Sequence, residues 1–259
     1  MRFHIAAITV AAAVSTAAGT ASAQQRGDFH WEKALPSGSE VSIHDINGDI
    51  TVRPSTSGKV EVVGINRGGK SVHAEVHETS RGIVVCAVPD DSDSRCDEDG
   101  LHSHGRWRGD WDRDHMDLEI AIPANTPVSA SSVSGDVSIS GAHGDVTANS
   151  VSGDLKLEGL RASSLSAHTV SGDVNVSVDA LTGKGDLSFK SVSGDITLEL
   201  PKALDADLSM ATVSGEMNSD YPLTLNGRMS RRRIEAKIGG GGRDLDVSTV
   251  SGDVRLKAR

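Results

Sequence analysis

One tetrapeptide recurs along the second half of the chain and limits the folds available to it. Val-Ser-Gly-Asp occurs five times and Val-Ser-Gly-Glu once, and the six copies begin at Val133, Val151, Val170, Val192, Val213 and Val250. The intervals between starting points are 18, 19, 22, 21 and 37 residues. Self-similarity at a period near 20 residues indicates structural units that stack on one another. The last interval is close to two periods, which predicts a degenerate copy within residues 221–240.

A short run of alternating apolar and polar residues follows each copy. Examples are Val137 with Ile139 and Leu155 with Leu157, and similar runs lie half-way between copies. Alternation over about five residues, bounded by Gly and Asp, is typical of β-strands separated by turns. Upstream, residues 46–52 repeat the same pattern, with Asn47-Gly48-Asp49 in place of Ser-Gly-Asp.

A strand–turn–strand unit of this length cannot bury its own apolar face. Stacked units can, because each covers the apolar residues of its neighbour and pairs with it through the backbone. We therefore predict an all-β chain that forms a parallel β-helix or β-solenoid. A thin core built from branched aliphatic residues also explains why only seven of 259 residues are aromatic.

The Gly-Asp pair of each copy is expected to form a corner of the coil. Gly would supply a backbone conformation that other residues avoid, and Asp would accept hydrogen bonds from amides of its own turn. Calcium binding by the Asp residues is a less favoured alternative, since the paired glycines of calcium-binding repeats are missing. The predicted corner residues are Gly48, Asp49, Gly135, Asp136, Gly153, Asp154, Gly172, Asp173, Gly194, Asp195, Gly215, Glu216, Gly252 and Asp253.

The N-terminus has the features of an export signal. Residues 1–23 combine an early Arg, an Ala-rich apolar run and a final Ala-Ser-Ala, which predicts a signal peptide cleaved before Gln24. Residues 24–37 are polar and are predicted to be a flexible lead-in. No later apolar run is long enough for a membrane-spanning helix. We expect an exported protein, either periplasmic or secreted.

Residues 38–257 are predicted to form one solenoid domain with two parts. The regular repeats occupy 129–257, and residues 38–128 form irregular early coils or a β cap that protects the end of the stack. Strands of this irregular part are expected at 39–45, 48–53, 58–64, 71–77, 82–88 and 117–122.

Two cysteines lie ten residues apart in this irregular part. Cys86 lies within the apolar run 82–88 and Cys96 lies in an acidic segment, and an oxidising compartment would favour a disulfide between them. The alternative is a metal site that joins Cys96 to His102, His104 or His115. One thiol with neighbouring histidines is a weak zinc signature, so we expect no resident metal and no other cofactor.

Residues 89–116 form a long insertion rich in Asp, His and Trp. Loops of this length inside a compact region are often functional. The insertion could sense cations or stack against carbohydrate, or it could be a solvated excursion held by the disulfide. Its candidate binding residues are His102, His104, Trp107, Asp110 and Trp111.

Charge and motif content exclude several functional classes. The 36 acidic and 26 basic residues give a net charge of −10, which disfavours nucleic acid as a partner. No motif of a hydrolase, a metalloprotease or a nucleotide-binding loop is present. Stacked corner Asp residues would imitate a catalytic carboxylate pair through repetition alone, so we expect no catalytic residues and no enzymatic activity.

Several of these features together resemble a known bacterial family. The chain is similar to the exported "putative adhesin" domains in five features: the signal peptide, the apolar strand 84–88 with Cys86 and a second cysteine after it, the segment Leu118–Asn125 before the repeats, the serial Val-Ser-Gly-Asp copies and the final 245–256 segment. The resemblance spans about residues 38–257. It implies a β-solenoid of pectate-lyase-like architecture and supplies no catalytic residues.

The sequence therefore predicts a non-catalytic, adhesin-like protein that contacts the cell envelope or an extracellular ligand. Outward ladders of Ser, Thr and Asp, together with the insertion, would provide the contact surface. Two alternative functions are also compatible with the sequence. One is a carbohydrate-active β-helix enzyme, and the other is a structural envelope protein that self-associates through the ends of its solenoid.

Overall fold

The computed structural model describes residues 28–68, 72–90, 93–102, 115–225 and 230–259, where all regular secondary structure is β-strand. The N-terminal strands are β1 (Asp28–Lys33), β2 (Glu40–His44), β3 (Ile50–Pro54), β4 (Val60–Asn66), β5 (Val72–Glu78), β6 (Gly82–Pro89), β7 (Arg95–Asp97), β8 (Gly100–His102) and β9 (Met116–Ile122). Six of these were predicted from alternation, and their ends differ from the prediction by at most two residues. No helix in the described residues has the length and apolar character needed to span a bilayer.

The repeat region adds shorter and more regular strands. They are β10 (Val128–Ser134), β11 (Val137–Ser140), β12 (Val146–Ser152), β13 (Leu155–Ala162), β14 (Leu165–His168), β15 (Val174–Leu181), β16 (Leu187–Lys190), β17 (Ile196–Leu200), β18 (Ala206–Ser214), β19 (Met217–Ser219), β20 (Leu223–Leu225), β21 (Arg233–Ile238), β22 (Asp244–Ser251) and β23 (Val254–Ala258).

Two long sheets face each other, and successive strands alternate between them through the repeats. Sheet I has the order β1-β4-β9-β3-β11-β13-β15-β17-β23-β19, and sheet II has the order β20-β21-β18-β22-β16-β14-β12-β10-β2-β6-β5. In each regular coil a sheet II strand leads through the Gly-Asp corner into a sheet I strand. The chain is thus a β-solenoid, as the repeat predicted.

The core consists of like residues stacked between the sheets. In sheet I, Val137 lies opposite Leu155, and Leu155 lies opposite Val174 in the next coil. These side chains are fully buried. The period-two pattern continues through every regular coil, so each strand presents one apolar row to the interior and a polar row to solvent. Phe189 is the largest fully buried side chain among the described residues.

The last repeat copy does not lie at the end of the stack. Strand β22 pairs in parallel with both β16 and β18, and β23 pairs in parallel with both β17 and β19. The coil of Val250 is therefore inserted between the coils of Val192 and Val213. The prediction of a degenerate parallel copy in 221–240 was wrong, because β20 and β21 pair antiparallel and β21 covers the exposed edge of β18.

The N-terminal end of the stack is built in a related way. Strands β6 and β9 form a coil outside the one made by β2 and β3. Antiparallel β4 and β1 then extend sheet I, and antiparallel β5 ends sheet II. The flexible lead-in predicted for 24–37 is wrong for Asp28–Lys33, which forms β1 because the edge of β4 offers it a complete ladder of partners.

The insertion 89–116 takes the place of a Gly-Asp corner. It connects β6 of sheet II to β9 of sheet I, as the corners do in regular coils. Its prediction as a loop is wrong at 95–97 and 100–102, where β7 and β8 form a small antiparallel hairpin. Residues 91–92 and 103–114 lie outside the described residues, as do the predicted signal peptide and residues 24–27.

Candidate interaction surface

The aspartates of the Gly-Asp corners form one continuous chain of hydrogen bonds along the solenoid. Each corner amide donates to Oδ1 of the carboxylate in the adjacent coil, at 2.7–3.2 Å. The sequence predicted that each Asp accepts hydrogen bonds from amides of its own turn, whereas the observed donors belong to the adjacent coil. We call this row the aspartate ladder, and in spatial order it comprises Asp117, Asp49, Asp136, Asp154, Asp173, Asp195, Asp253 and Glu216.

The corner glycines are required by the closeness of adjacent coils. A Cβ on Gly153 would lie closer than 3.0 Å to the carbonyl carbon and oxygen of Gly135, and the other corner glycines meet the preceding coil in the same way. The positive backbone angle expected from the sequence is found at Gly48, Gly172, Gly215 and Gly252, where φ is 152–159°. Gly153 has no positive φ, so the angle does not explain every corner glycine. The absence of a side chain allows the corners to stack at backbone distance.

A second ladder of hydroxyl groups lies beneath the corners. Three residues before six of the seven corner glycines, a buried Ser or Thr donates its hydroxyl to the glycine carbonyl of the adjacent coil at 3.0–3.5 Å. These bonds give each glycine carbonyl a hydrogen-bond partner and link adjacent coils. The hydroxyl ladder consists of Ser132, Ser150, Thr169, Ser191, Thr249 and Thr212.

Asp45 occupies the hydroxyl position in the coil of Gly48. It is 4% exposed, and its Oδ1 accepts the amide of Asn47 at 3.1 Å. Its Oδ2 has no hydrogen-bond partner among the described residues. Burial raises the pKa of Asp45 to about 7, and the charges of Asp117 and Asp49 add to this rise. The carboxyl is thus neutral below a pH of about 7, and like the hydroxyls of the other coils it then carries no charge.

Arginine side chains pair with ladder carboxylates near both ends of the aspartate ladder. The Nε of Arg67 lies 2.8 Å from Oδ2 of Asp117 at one end. At the other, Arg255 contacts Oδ2 of both Asp195 and Asp253, at 2.9 and 2.6 Å. The Asp253 amide and Arg255 lower the pKa of Asp195. Four ladder carboxylates between these ends have no cationic partner in the part of the chain that the structure describes: Asp49, Asp136, Asp154 and Asp173.

A row of exposed valines follows the same edge of the solenoid. The first residue of each repeat copy is 43–55% exposed, although Val is usually a core residue. Bridges between the adjacent serines set the order of the coils along this row. With coils about 4.8 Å apart, the six side chains extend over roughly 24 Å. We call this row the valine ridge, and in spatial order it comprises Val133, Val151, Val170, Val192, Val250 and Val213.

Outward ladders of Ser, Thr and Asp were predicted from the sequence, but the valine ridge was not. The alternation of inward and outward side chains along each strand is the pattern that could have revealed the valine ridge. In β10, Val128, Ala130 and Ser132 point inward, so Val133 must point outward. Repetition of an apolar residue in the outward phase is the signal, because a random apolar residue there would not recur in every coil.

The structure brings the two cysteines together and leaves most predicted loop residues outside its described parts. Cys86 and Cys96 form the expected disulfide, with a Cα–Cα distance of 5.9 Å. The β7–β8 hairpin covers the outer face of β6, where Val84, Cys86 and Val88 pack against Cys96 and Leu101. The ring of His102 lies 2.9 Å from Oδ1 of Asp97. The remaining predicted loop residues, His104, Trp107, Asp110 and Trp111, lie outside the described residues.

A shallow cleft opens beside the N-terminal end of the aspartate ladder. It has a volume of about 430 Å³, and its lining includes Asp49, Arg67, His115 and Asp117. The facing carboxylates belong to adjacent coils and follow the spacing of the ladder. The Asp49 amide donates to Oδ1 of Asp117 at 3.2 Å, so the stacking of the coils accounts for the closeness of these two residues.

Comparisons with known proteins agree with this architecture. A solved "putative cell adhesion protein" from Clostridium sporogenes is similar over 90% of this chain and 100% of its own, with a TM-score of 0.50 and 12% identity. A solved "putative adhesin" from Bacteroides fragilis is similar over 90% and 98%, with a TM-score of 0.46 and 16% identity. A comparison with curated proteins gives no match. The family model Toastrack DUF4097 matches residues 16–257, so the chain belongs to the Toastrack DUF4097 family.

Proposed function

We propose that this protein is an exported, non-catalytic adhesion module that binds an extended partner in the cell envelope along its Gly-Asp edge. The observation that carries the proposal is the valine ridge. It is a linear apolar surface beside a row of carboxylates, and both repeat once per coil. The solved structure from Clostridium sporogenes, which is similar in fold, is described as a "putative cell adhesion protein", and this supports the same class of function.

Six coils each expose an apolar side chain to water, which is unfavourable in the free protein. A ridge valine is 43–55% exposed and so leaves about half of its surface in water, whereas a polar residue would be better solvated at the same outward position. A partner that covers the ridge would remove six apolar side chains from water at once. Four neighbouring ladder carboxylates have no cationic partner among the described residues, and they favour a partner with cationic or hydroxyl groups.

The edge supplies many equivalent contacts, one set in each of six coils. Six coils carry the same valine and serine, followed by Gly and an acidic residue that is Asp in five copies and Glu in one, so a partner with its own repeat could engage several coils together. Weak contacts linked in this way add up to strong attachment. This arrangement suits a polymer or an ordered envelope surface better than a small molecule.

A binding assay with matched variants tests the proposal. Purified protein from Gln24 onward is sedimented with bacterial cell-wall sacculi or with outer-membrane vesicles. The ridge variant carries Val151→Thr, Val170→Thr and Val192→Thr, which keep side-chain shape and strand propensity. The control carries Lys156→Ser, Asn175→Ser and Thr197→Ser on the outer face of sheet I in the same three coils.

We expect the wild-type and control proteins to sediment with one of these fractions, and the ridge variant to lose at least about tenfold in apparent affinity. Equal binding by the ridge variant and the wild type would overturn the role of the ridge. Absence of binding to both fractions would overturn the envelope proposal. Export is tested separately by expressing the full chain, fractionating the cells and sequencing the N-terminus, which should begin at Gln24.

A further inference from the structure

The outer face of sheet II gathers metal-binding side chains around the disulfide. Glu75 on β5 lies directly opposite Cys86 on β6, so both side chains point to the same face. The Oε2 of Glu75 is 2.9 Å from Nε2 of His77. The β7–β8 hairpin places Cys96 over this face, where it is bonded to Cys86.

These side chains lie close enough to share one ion. The ligand atoms of Glu75, His77 and Cys96 are all within 4.8 Å of one another, and the sulfur of Cys86 is bonded to that of Cys96. Zinc bonds of about 2.0–2.3 Å place tetrahedral ligand atoms about 3.3–3.8 Å apart. Small side-chain movements would therefore bring two sulfurs, one imidazole nitrogen and one carboxylate oxygen to a common centre.

Neighbouring side chains hold Glu75 in the way that the ligands of a metal site are held. The Nε2 of His73 lies 3.0 Å from Oε1 of Glu75, and the other ring nitrogen of His73 contacts Asp90. A ligating carboxylate is commonly held by such an outer hydrogen bond. Both cysteines are buried, whereas Glu75 and His77 are 35% and 42% exposed in their side chains, which leaves an entry path for an ion.

The disulfide prevents this use of the sulfurs. Zinc binds thiolates, and the sulfurs of a disulfide carry no such charge. A dithiol reductant converts the disulfide to two thiols and is itself oxidised to a disulfide, and metal binding then releases the two thiol protons. We propose that the dithiol form of this protein binds one zinc ion through Glu75, His77, Cys86 and Cys96, and that disulfide formation abolishes the site.

Metal titration of the two redox forms tests this inference. The protein from Gln24 onward is prepared oxidised, or reduced with a dithiol that is then removed without air, and free thiols are counted. Zinc binding is followed by calorimetry, and cobalt is used as a spectroscopic probe of thiolate ligation and tetrahedral geometry. Variants are Glu75→Gln and His77→Ala, with His168→Ala on the same sheet as a control.

We expect one zinc ion per reduced chain, cobalt–thiolate absorption, and at least about a hundredfold weaker binding by the oxidised form. Each ligand variant should lose about tenfold or more in affinity, while the His168 variant matches the wild type. If reduction unfolded the chain, its cysteines could still bind zinc, but His77→Ala and Glu75→Gln would then change nothing, which would overturn the site. No zinc binding by the reduced form, or equal binding by the oxidised form, would overturn it as well.

Discussion

The amide of Asp173 donates a hydrogen bond of 2.7 Å to Oδ1 of Asp154, the residue at the same corner one coil earlier. Seven bonds of this kind join eight acidic residues along the edge of the solenoid. The arrangement places like charges near one another, and each amide donor offsets part of that repulsion. The corner Asp therefore stabilises the contact between coils.

Removal of one ladder acceptor should destabilise the fold measurably. Asp154→Ala leaves the Asp173 amide without its charged acceptor, and we expect a loss of about 1–2 kcal/mol in the free energy of unfolding. Asp154→Asn keeps an oxygen at the same place and should lose clearly less. Urea unfolding followed by circular dichroism measures both variants. Equal destabilisation by Ala and Asn would contradict the acceptor role.

A methyl group at a corner glycine should be poorly tolerated for steric reasons. In Gly153→Ala the new Cβ would meet the Gly135 carbonyl, so the coils must separate, and we expect a loss of about 3 kcal/mol or more. Gly240→Ala is the matched control, since its φ is also not positive and its nearest neighbour would be 3.6 Å away. Thermal unfolding of both variants is the measurement, and similar melting temperatures would argue against close stacking.

Asp45 should make the protein less stable as the pH rises. Its pKa is about 7 in the fold and has an ordinary value of 3.8, so the folded state holds a proton that the unfolded state has lost between these values. The Asp45 contribution to stability therefore falls from pH 4 to pH 7 and is constant above, by an amount on the order of 4 kcal/mol.

Asp45→Ser and Asp45→Asn test this pH dependence. Ser restores the residue type found at this position in the other coils, so at pH 8 we expect it to be more stable than the wild type. In urea unfolding, the free energy of unfolding of either variant should rise relative to that of the wild type from pH 4 to pH 7. A difference that stays constant over this range would show that Asp45 does not titrate there.

Arg243 should act as a buried link between coils. It is 6% exposed, and its guanidinium donates to the carbonyls of Ser163, Gly185 and Gly183 at 2.6–3.0 Å. Burial lowers the pKa of its guanidinium. Arg243→Ala leaves these carbonyls without their donor, and we expect a loss of about 3 kcal/mol in the free energy of unfolding.

Two comparisons separate this role from a general effect of charge. Arg243→Lys keeps the charge but cannot reach three carbonyls with a planar fork, so it should be intermediate. Arg161→Ala removes an exposed Arg and should change stability by less than about 0.5 kcal/mol. Chemical denaturation of the three variants is the check, and equal losses for Arg161 and Arg243 would refute the link.

Local pattern was sufficient to predict the coil and its strands. Alternation such as Val137 with Ile139 depends only on which face of a strand is buried, so it is visible within a few residues. The disulfide between Cys86 and Cys96 was also predictable, because the two residues are separated by only ten positions. The strand β1 was missed because its stability comes from the edge of β4 and not from its own pattern.

The sequence by itself determined the period of the coil, the Gly-Asp corner and a thin aliphatic core. Only the tertiary structure decided which coils are neighbours. Equivalent strands such as β18 and β22 present nearly the same partners, so local energies do not choose between them, and the last copy lies between two earlier ones. The steric role of Gly153, the unpaired carboxyl oxygen of Asp45 and the closeness of Glu75 to Cys96 depend on contacts between separate segments, which no local pattern records.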